Sequence, residues 1–379
     1  MGEPSTVDIH RAMAEGRRRR RTGHALRAGA GAGCAVLVLA GGWALARPVV
    51  PHAPASPAGC TLQRLPVPDG GAPRSVVTGA DPSGRYLVGR GYPNASLIWH
   101  DGRVEVVAVP GSDPQLRDVT STGAAVGTSY LGEPGDEPAA WLYRNGTLTR
   151  LAGTRAEAYA VNENLAVAGS VDGKPARWAA PVGGQAPVGG PAPARSTSPA
   201  GPPTLLALPG PGWSGYAAGI DEDGTIVGQV KEAPEKPAVG YLWRPDGTGQ
   251  QLRAPVVAGA PATAYGAVAV RGGWAVGWAT RDDGNQLAVG APRWNLRTGA
   301  VDVPFEGAAS AVNRYGWVVG ALTRAVFVTG AGTLTLPDLG STAPVANDIP
   351  VSVSDDGTTI GGQVPSSDGD PVAVVWRCR

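Results

Sequence analysis

Gly219-Ile-Asp-Glu-Asp-Gly-Thr-Ile-Val-Gly228, followed by Tyr241-Leu-Trp-Arg-Pro-Asp-Gly247, is the stretch that decides the fold of this 379-residue chain. Its elements are an acidic turn, a Val-Gly pair, an apolar run ending in Trp, a Gly turn and a Leu-containing run. The same order recurs at intervals of roughly 40 residues, the signature of a repeat architecture. Turns of this kind open at Asp81, Asn162, Asp221, Asn313 and Asp355. Val88-Gly89, Val126-Gly127, Val227-Gly228, Val276-Gly277 and Val319-Gly320 supply the pairs, and Trp99, Trp141, Trp178, Trp243, Trp294, Phe327 and Trp376 the aromatics.

Seven aromatics imply seven units, each near the roughly 40 to 50 residues of a four-stranded propeller blade. In the second unit, residues 118–121 read as the end of an inner strand, and 124–129, 139–143 and 147–151 as the next three strands. Each run is short, bounded by Gly and rich in small or β-branched residues. Asp101-Gly102, Asn145-Gly146 and Asp246-Gly247 suit the tight hairpin between third and fourth strands. With 57 Gly and 36 Pro along the chain, helices are disfavoured. The expected fold is all-β, a seven-bladed β-propeller over residues 60–379 in which 182–203 is a disordered insertion, low in apolar side chains.

Closure is also written in the sequence. The seventh unit runs through 351–354, 358–362 and 372–378 and lacks a fourth strand, whereas Thr61-Leu-Gln-Arg-Leu-Pro66 reads like the fourth strands Thr204-Leu-Leu-Ala-Leu-Pro209 and Leu334-Thr-Leu-Pro337. The N-terminal strand therefore completes the last blade and removes exposed sheet edges. Superposed on the hairpin from Trp141 to Leu151, Cys60 and Cys378 fall astride the turn, within disulfide reach. A bridge there closes a loop worth roughly 4 to 5 kcal/mol of chain entropy and calls for an oxidising compartment.

The N-terminus offers a route to one. Basic residues 17–21 and Arg27 precede an uncharged apolar run at 28–46, close to the ~20 residues that span a bilayer. The charge bias places residues 1–27 in the cytoplasm and the propeller outside, joined by a Pro/Ala-rich tether at 47–59. This predicts a single transmembrane helix or signal-anchor in the cell membrane. The competing reading is secretion after cleavage near Ala46, because Ala44-Leu45-Ala46 fits a signal-peptide site. The arginine run serves topology rather than nucleic acid, since 32 basic residues face 31 acidic ones over the whole chain and no basic face follows.

The repeats resemble the extracellular HAF-repeat proteins, a bacterial β-propeller-like family. Tyr241-Leu-Trp-Arg-Pro-Asp-Gly247 with Leu252, residues 217–228, and Val312-Asn-Arg-Tyr-Gly-Trp-Val-Val-Gly320 carry the resemblance, which extends in degenerate form from Ser75 to the C-terminus without the His-Ala-Phe triplet. It implies a secreted or surface propeller and brings no catalytic residues.

Chemistry is narrowed by what is scarce. Of four His, only His100 lies in the propeller, beside a turn, so a nucleophile-base-carboxylate triad has no support. His/Cys zinc sites are equally unsupported, no cofactor motif stands in a strand-then-helix context, and Asp221-Glu-Asp-Gly224 has too few ligands for calcium. Asp221, Glu222, Asp223, Asp355 and Asp356 read as turn residues bonding their own backbone. Strand direction divides the ring into a regular face of first-to-second and third-to-fourth turns and a face of variable second-to-third loops, where binding residues are expected. Tyr92, Tyr130, Glu133, Asp136, Glu137, Trp213, Trp278, Arg281, Asp282 and Asp283 lie there as contact candidates for a glycan, cell-wall or protein ligand. The expectation is a non-enzymatic binding module, with a polysaccharide-active enzyme using Asp282, Asp283 and Asp136 as the alternative.

Overall fold

Runs of Val, Ala and Leu a few residues long, each ended by Gly, Asp or Asn, have no continuation but to reverse and pair with the preceding run. The computed structural model, which describes residues 53–70, 74–132, 137–179, 201–284, 286–340 and 348–379, shows the result. Among the described residues are seven four-stranded antiparallel sheets and one two-stranded hairpin, Val256–Val257 with Ala260–Pro261. The predicted basic segment 1–27, the transmembrane segment 28–46 and nearly all of the 182–203 insertion lie outside the described residues.

The sheets are the seven blades, numbered here in chain order. Their inner strands are Ser75–Ala80, Ser112–Val119, Ala156–Val161, Ser214–Ile220, Ala264–Arg271, Ala308–Val312 and Ile349–Val353. Blade 7 takes its fourth strand from the other end of the chain. Cys60–Arg64 pairs antiparallel with Pro371–Cys378, in the register Cys60 opposite Cys378 and Leu62 opposite Trp376. The predicted bridge joins Cys60 to Cys378, with their Cα atoms 4.0 Å apart.

Each inner strand carries a β-bulge at the same place. The extra, unpaired residues are Thr78, Arg117, Tyr159, Ala218, Val268, Ser310 and Val351, each skipped in the register with the second strand. The kink presses the carbonyl two residues earlier against the neighbouring strand. Opposite it stands the glycine of the repeated pair: Gly89, Gly127, Gly169, Gly228, Gly277, Gly320 or Gly362. A Cβ on any of them would lie between 1.9 and 2.4 Å from that carbonyl oxygen, so the repeated glycine is a packing requirement of the bulge.

Packing between blades follows the aromatics. Seven apolar clusters fill the seven junctions, as where Val126 and Leu142 of blade 2 meet Ala158 and Trp178 of blade 3. In five blades the third-strand Trp Nε1–H donates to the backbone leaving the preceding blade: Trp99 to Pro66 O, Trp178 to Ala152 O, Trp243 to Ala207 O, Trp294 to Arg253 O and Trp376 to Pro337 O, at 2.6 to 2.8 Å. Trp141 reaches the equivalent Pro110 carbonyl through Ser129, donating to Oγ at 2.8 Å while Oγ donates onward at 2.5 Å. Phe327, in blade 6, has no N–H and contributes burial alone. These indoles bury large apolar area and satisfy a connector carbonyl in one step.

The blade 5 hairpin corrects one boundary. Its strands Trp274–Asp282 and Leu287–Asn295 run on for nine residues each, so Trp278, expected in a variable loop, stands inside the second strand opposite Gly266.

Gly277→Ala is expected to cost at least about 1 to 3 kcal/mol, since the added methyl meets backbone that cannot yield. Gly210→Ala, whose Cβ would sit 3.6 Å from Trp213, should stay within about 0.5 kcal/mol of wild type. Urea unfolding of both compares them directly. Serine at Cys60 or at Cys378 should lower the melting temperature by the same amount, with little further loss in the double variant; additive losses would show that the two thiols act independently.

Candidate functional site

The seven bulges have a second effect, because their residues line the axis of the ring. Thr78, Arg117, Tyr159, Ala218, Val268, Ser310 and Val351 all border a cavity of ≈ 210 Å³ in the central channel. The other five, Thr78, Ala218, Val268, Ser310 and Val351, are short, which leaves the space to Arg117 and Tyr159. The Arg117 guanidinium lies 5.0 Å from the Tyr159 ring centroid, and the Tyr159 hydroxyl donates to Glu157 Oε2 at 2.7 Å. Burial, then the charge of Glu157, hold the Tyr159 phenol above its ordinary range.

Toward the regular face the channel narrows onto charged side chains. Three residues after each bulge, six blades place a short polar residue, Asp81, Thr120, Asn162, Asp221, Asn313 or Ser354, at the start of the turn. Its side chain accepts backbone N–H groups, as Asn313 Oδ1 does from Tyr315 and Trp317. Blade 5 has Arg271 in this column and turns instead through Gly272 and Gly273, both at positive φ. Freed from the turn, Arg271 reaches into the channel, with Nη1 2.5 Å from Glu222 Oε1, Nη2 2.7 Å from Asp355 Oδ2 and Nε 3.2 Å from Asp355 Oδ1. Burial opposes its charge, yet the two carboxylates hold its pKa above the usual guanidinium value.

This clamp belongs to a circuit around the rim. Ser121 donates through N and Oγ to Glu163, whose backbone N donates to Glu222 Oε2 at 2.9 Å. Beyond Arg271, Asp355 accepts from Arg314 N, and its own N–H donates to Pro82 O at 2.7 Å. The circuit thus includes a residue from each of the seven blades.

Asp118, the residue after the Arg117 bulge, lies on the channel wall. Its Oδ2 accepts from Val161 N of the next blade at 2.8 Å and its Oδ1 from Val119 N at 2.9 Å. It keeps some contact with the channel space, but protein surrounds the carboxyl, and this burial pushes its pKa up to about 7. Glu222 adds to the rise, while the two N–H groups and Arg271 oppose it.

The residues predicted from sequence are spread over four blades. Tyr92 is half-buried, with the Arg74 and Arg90 guanidiniums over its ring at 5.0 and 4.7 Å. Tyr130 and Glu137 flank one hairpin, beside Glu133 and Asp136, which lie outside the described residues. Trp213 packs against the cluster between blades 3 and 4. Arg281 Nη1 donates to Ala258 O at 2.9 Å, and Asp282 and Asp283 accept from Gly284 N and Gln286 N in their own turn. The acidic turns are split in role: Asp223 and Asp356 bond local backbone at Thr225 and Thr358, whereas Glu222 and Asp355 hold Arg271. Arg117, Asp118 and Arg271 escaped sequence reading. The available signal was the bulge column and the one unit with no short polar residue at the start of its turn.

No family model and no curated protein matches the chain. Among solved structures, TolB from Acinetobacter baumannii superposes with a TM-score of 0.38 at 11% identity, over 82% of this chain and 81% of that one. The computationally designed Ika8 protein gives 0.36 at 15% identity, over 82% and 87%. Likeness this loose says nothing of function, and the propeller assignment stands on the strand order itself.

Because Asp118 holds its proton more tightly folded than at its unperturbed value of 3.8, the native state takes up a proton as pH falls through about 7. The stability of wild type relative to Asp118→Asn should therefore rise from about pH 8 down to about 4 and then level off, when both folded and unfolded carboxyls are protonated. Melting temperatures of the pair across that range measure it. A constant offset would place Asp118 in the ordinary carboxylate range.

Proposed function

We propose that this chain is a membrane-tethered, extracytoplasmic propeller that binds a cell-envelope or external ligand on its loop face without transforming it. The observation that carries this reading is the contrast between the two faces. On the regular face Glu163, Glu222, Arg271 and Asp355 are bonded to one another from blade to blade. On the loop face Glu137, Asp282 and Asp283 stand exposed on hairpin ends, the usual placing of recognition residues on a rigid scaffold.

The compartment is supported by the Cys60–Cys378 bridge, which persists in oxidising surroundings, and by the arginines ahead of the apolar run 28–46. The HAF-repeat resemblance of residues 217–228 and 312–320 agrees with an extracellular site. Cys60 enters the ring at the third-to-fourth turn end of blade 7, on the regular face, so a tether leaving there turns the loop face outward.

Full-length protein should be retained by at least one member of a panel of glycans, peptidoglycan sacculi and extracellular peptides, with no release of shortened products. Glu137→Ala combined with Asp282→Ala should weaken retention, and Glu163→Gln should not. Saccharide release lost in Asp282→Ala would instead make the protein a hydrolase. Absence of retention across the panel would remove the binding reading.

A further inference from the structure

The axial cavity contains two arginines with opposite fates. Arg271 is spent, since Nε, Nη1 and Nη2 all donate to Glu222 and Asp355. Arg117 contacts the Tyr159 face, and its Nε is buried without an acceptor; no hydrogen bond or ion pair to a carboxylate engages its guanidinium among the described residues. A desolvated guanidinium nitrogen without a partner is costly, and a native structure that keeps one commonly supplies the acceptor from outside the chain.

The position is built into the fold. Arg117 is the bulge residue of blade 2, and Ser310, a bulge residue of blade 6, lies at the same level three blades away around a seven-fold ring. Ser310 borders the same cavity. The bulge residues between them on the longer arc that lack polar atoms, Ala218 and Val268, leave the middle of the channel open. At ≈ 210 Å³, the space is well above the roughly 10–15 Å³ that a single water needs.

We propose that this cavity is a receptor site for a carboxylate group, held by the Arg117 fork with the Ser310 hydroxyl as a second donor. A planar guanidinium matches a carboxylate through two parallel N–H···O bonds, and the Tyr159 ring beneath fixes the plane of the fork. The charges facing the site are Asp118, Glu157, Glu222, Asp355, Glu163 and Arg271, with the Glu157 carboxylate engaged by the Tyr159 hydroxyl. Glu222 and Asp355 are neutralised in part by Arg271, and Glu163 is occupied by Ser121. Among the described residues Asp118 has no cation bonded to it, and its acid form spares an incoming carboxylate the repulsion of a neighbour. The site differs from the loop face, so failure of the panel experiment above leaves it standing, and the reverse holds too.

Titration of the full chain at about pH 6, at constant ionic strength set with chloride, distinguishes the sources of the group. Acetate and succinate represent a free acid, and the peptide Gly-Gly-Ala, with its amide-capped form as control, represents a chain end. Saturable binding of at least one carboxylate is expected, with the amide-capped peptide silent. Arg117→Gln should weaken it at least about 10-fold, the low end for a hydrogen bond to a charged group. Arg117→Lys should weaken it by less, and Ser310→Ala by about 5-fold. Arg281→Gln, on the loop face, should change nothing. If Arg117→Gln fails to fold, Arg117→Lys and Ser310→Ala decide the matter. Binding unaltered in those variants, binding matched by chloride or sulfate, or no saturation by any of the three carboxylates would each overturn the proposal.

Discussion

One extra residue in each inner strand is the constraint from which most of this molecule follows. A propeller blade must twist sharply to bring four strands from a narrow channel to a wide rim, and a bulge supplies that twist locally. Placing it at the same register in all seven blades sets a ring of unpaired residues on the axis. It also drives a carbonyl into the second strand, where only glycine leaves room. The Val-Gly pair that announces the repeat is therefore the imprint of the bulge on its neighbour. Valine fits beside it because the flanking position is buried in the blade junctions.

The seven-fold pattern holds the chain in shape, and its one break makes the channel chemically asymmetric. A short Asx or hydroxyl side chain at the turn column caps its own turn, which points it away from the axis. When blade 5 substitutes Arg271, a two-glycine turn takes over the reversal, and a long cation is released into the channel. Its charge gathers Glu222 and Asp355 from blades 4 and 7, which are not neighbours in the ring. Salt bridges at this exposure contribute modestly to stability on their own. Their geometric effect is larger, because a bidentate contact between non-adjacent blades fixes the channel diameter at that face. At the bulge level, by contrast, Arg117 has only an aromatic face beside it.

Fold and site were unequally legible in the sequence, for physical reasons. Repeated Trp, Gly and turn residues obey constraints common to every blade, so seven imperfect copies reinforce one another and report strand order, closure and the Cys60 to Cys378 pairing; the structure sets Cys60 at the equivalent of Leu148, two residues farther from the turn than the sequence superposition placed it. Site residues are those that depart from the repeat, and a departure has no second copy to support it. The signal for Arg271 was the one unit without a short polar residue in the turn column, and its direction depended on the Gly272-Gly273 reversal. Arg117 and Asp118 lay hidden because alternation assigns adjacent residues to opposite faces, and the bulge breaks that rule where it matters. Trp278 was displaced in the opposite sense: continuous pairing extended a strand through residues that looked like the beginning of a loop.

Closure is where the design is weakest in non-covalent terms. Six blades form from contiguous sequence, so their strands meet by short hairpins, apart from the longer connection between Trp178 and Thr204 in blade 3, at small loop-closure cost. Blade 7 joins residues 318 apart, and its borrowed strand, Cys60–Arg64, is five residues long with three of them exposed. Its apolar contribution comes through Leu62 and Cys60 against the cluster of blades 6 and 7. Backbone pairing, that contact and the packing of blade 7 on blade 1 hold a ring whose opening would strip neighbours from two junctions at once. A covalent bond between the first residue of the borrowed strand and the residue opposite it raises the free energy of the opened ring by roughly 6 kcal/mol in the chain-entropy estimate. The bond therefore does for blade 7 what chain connectivity does for the other six.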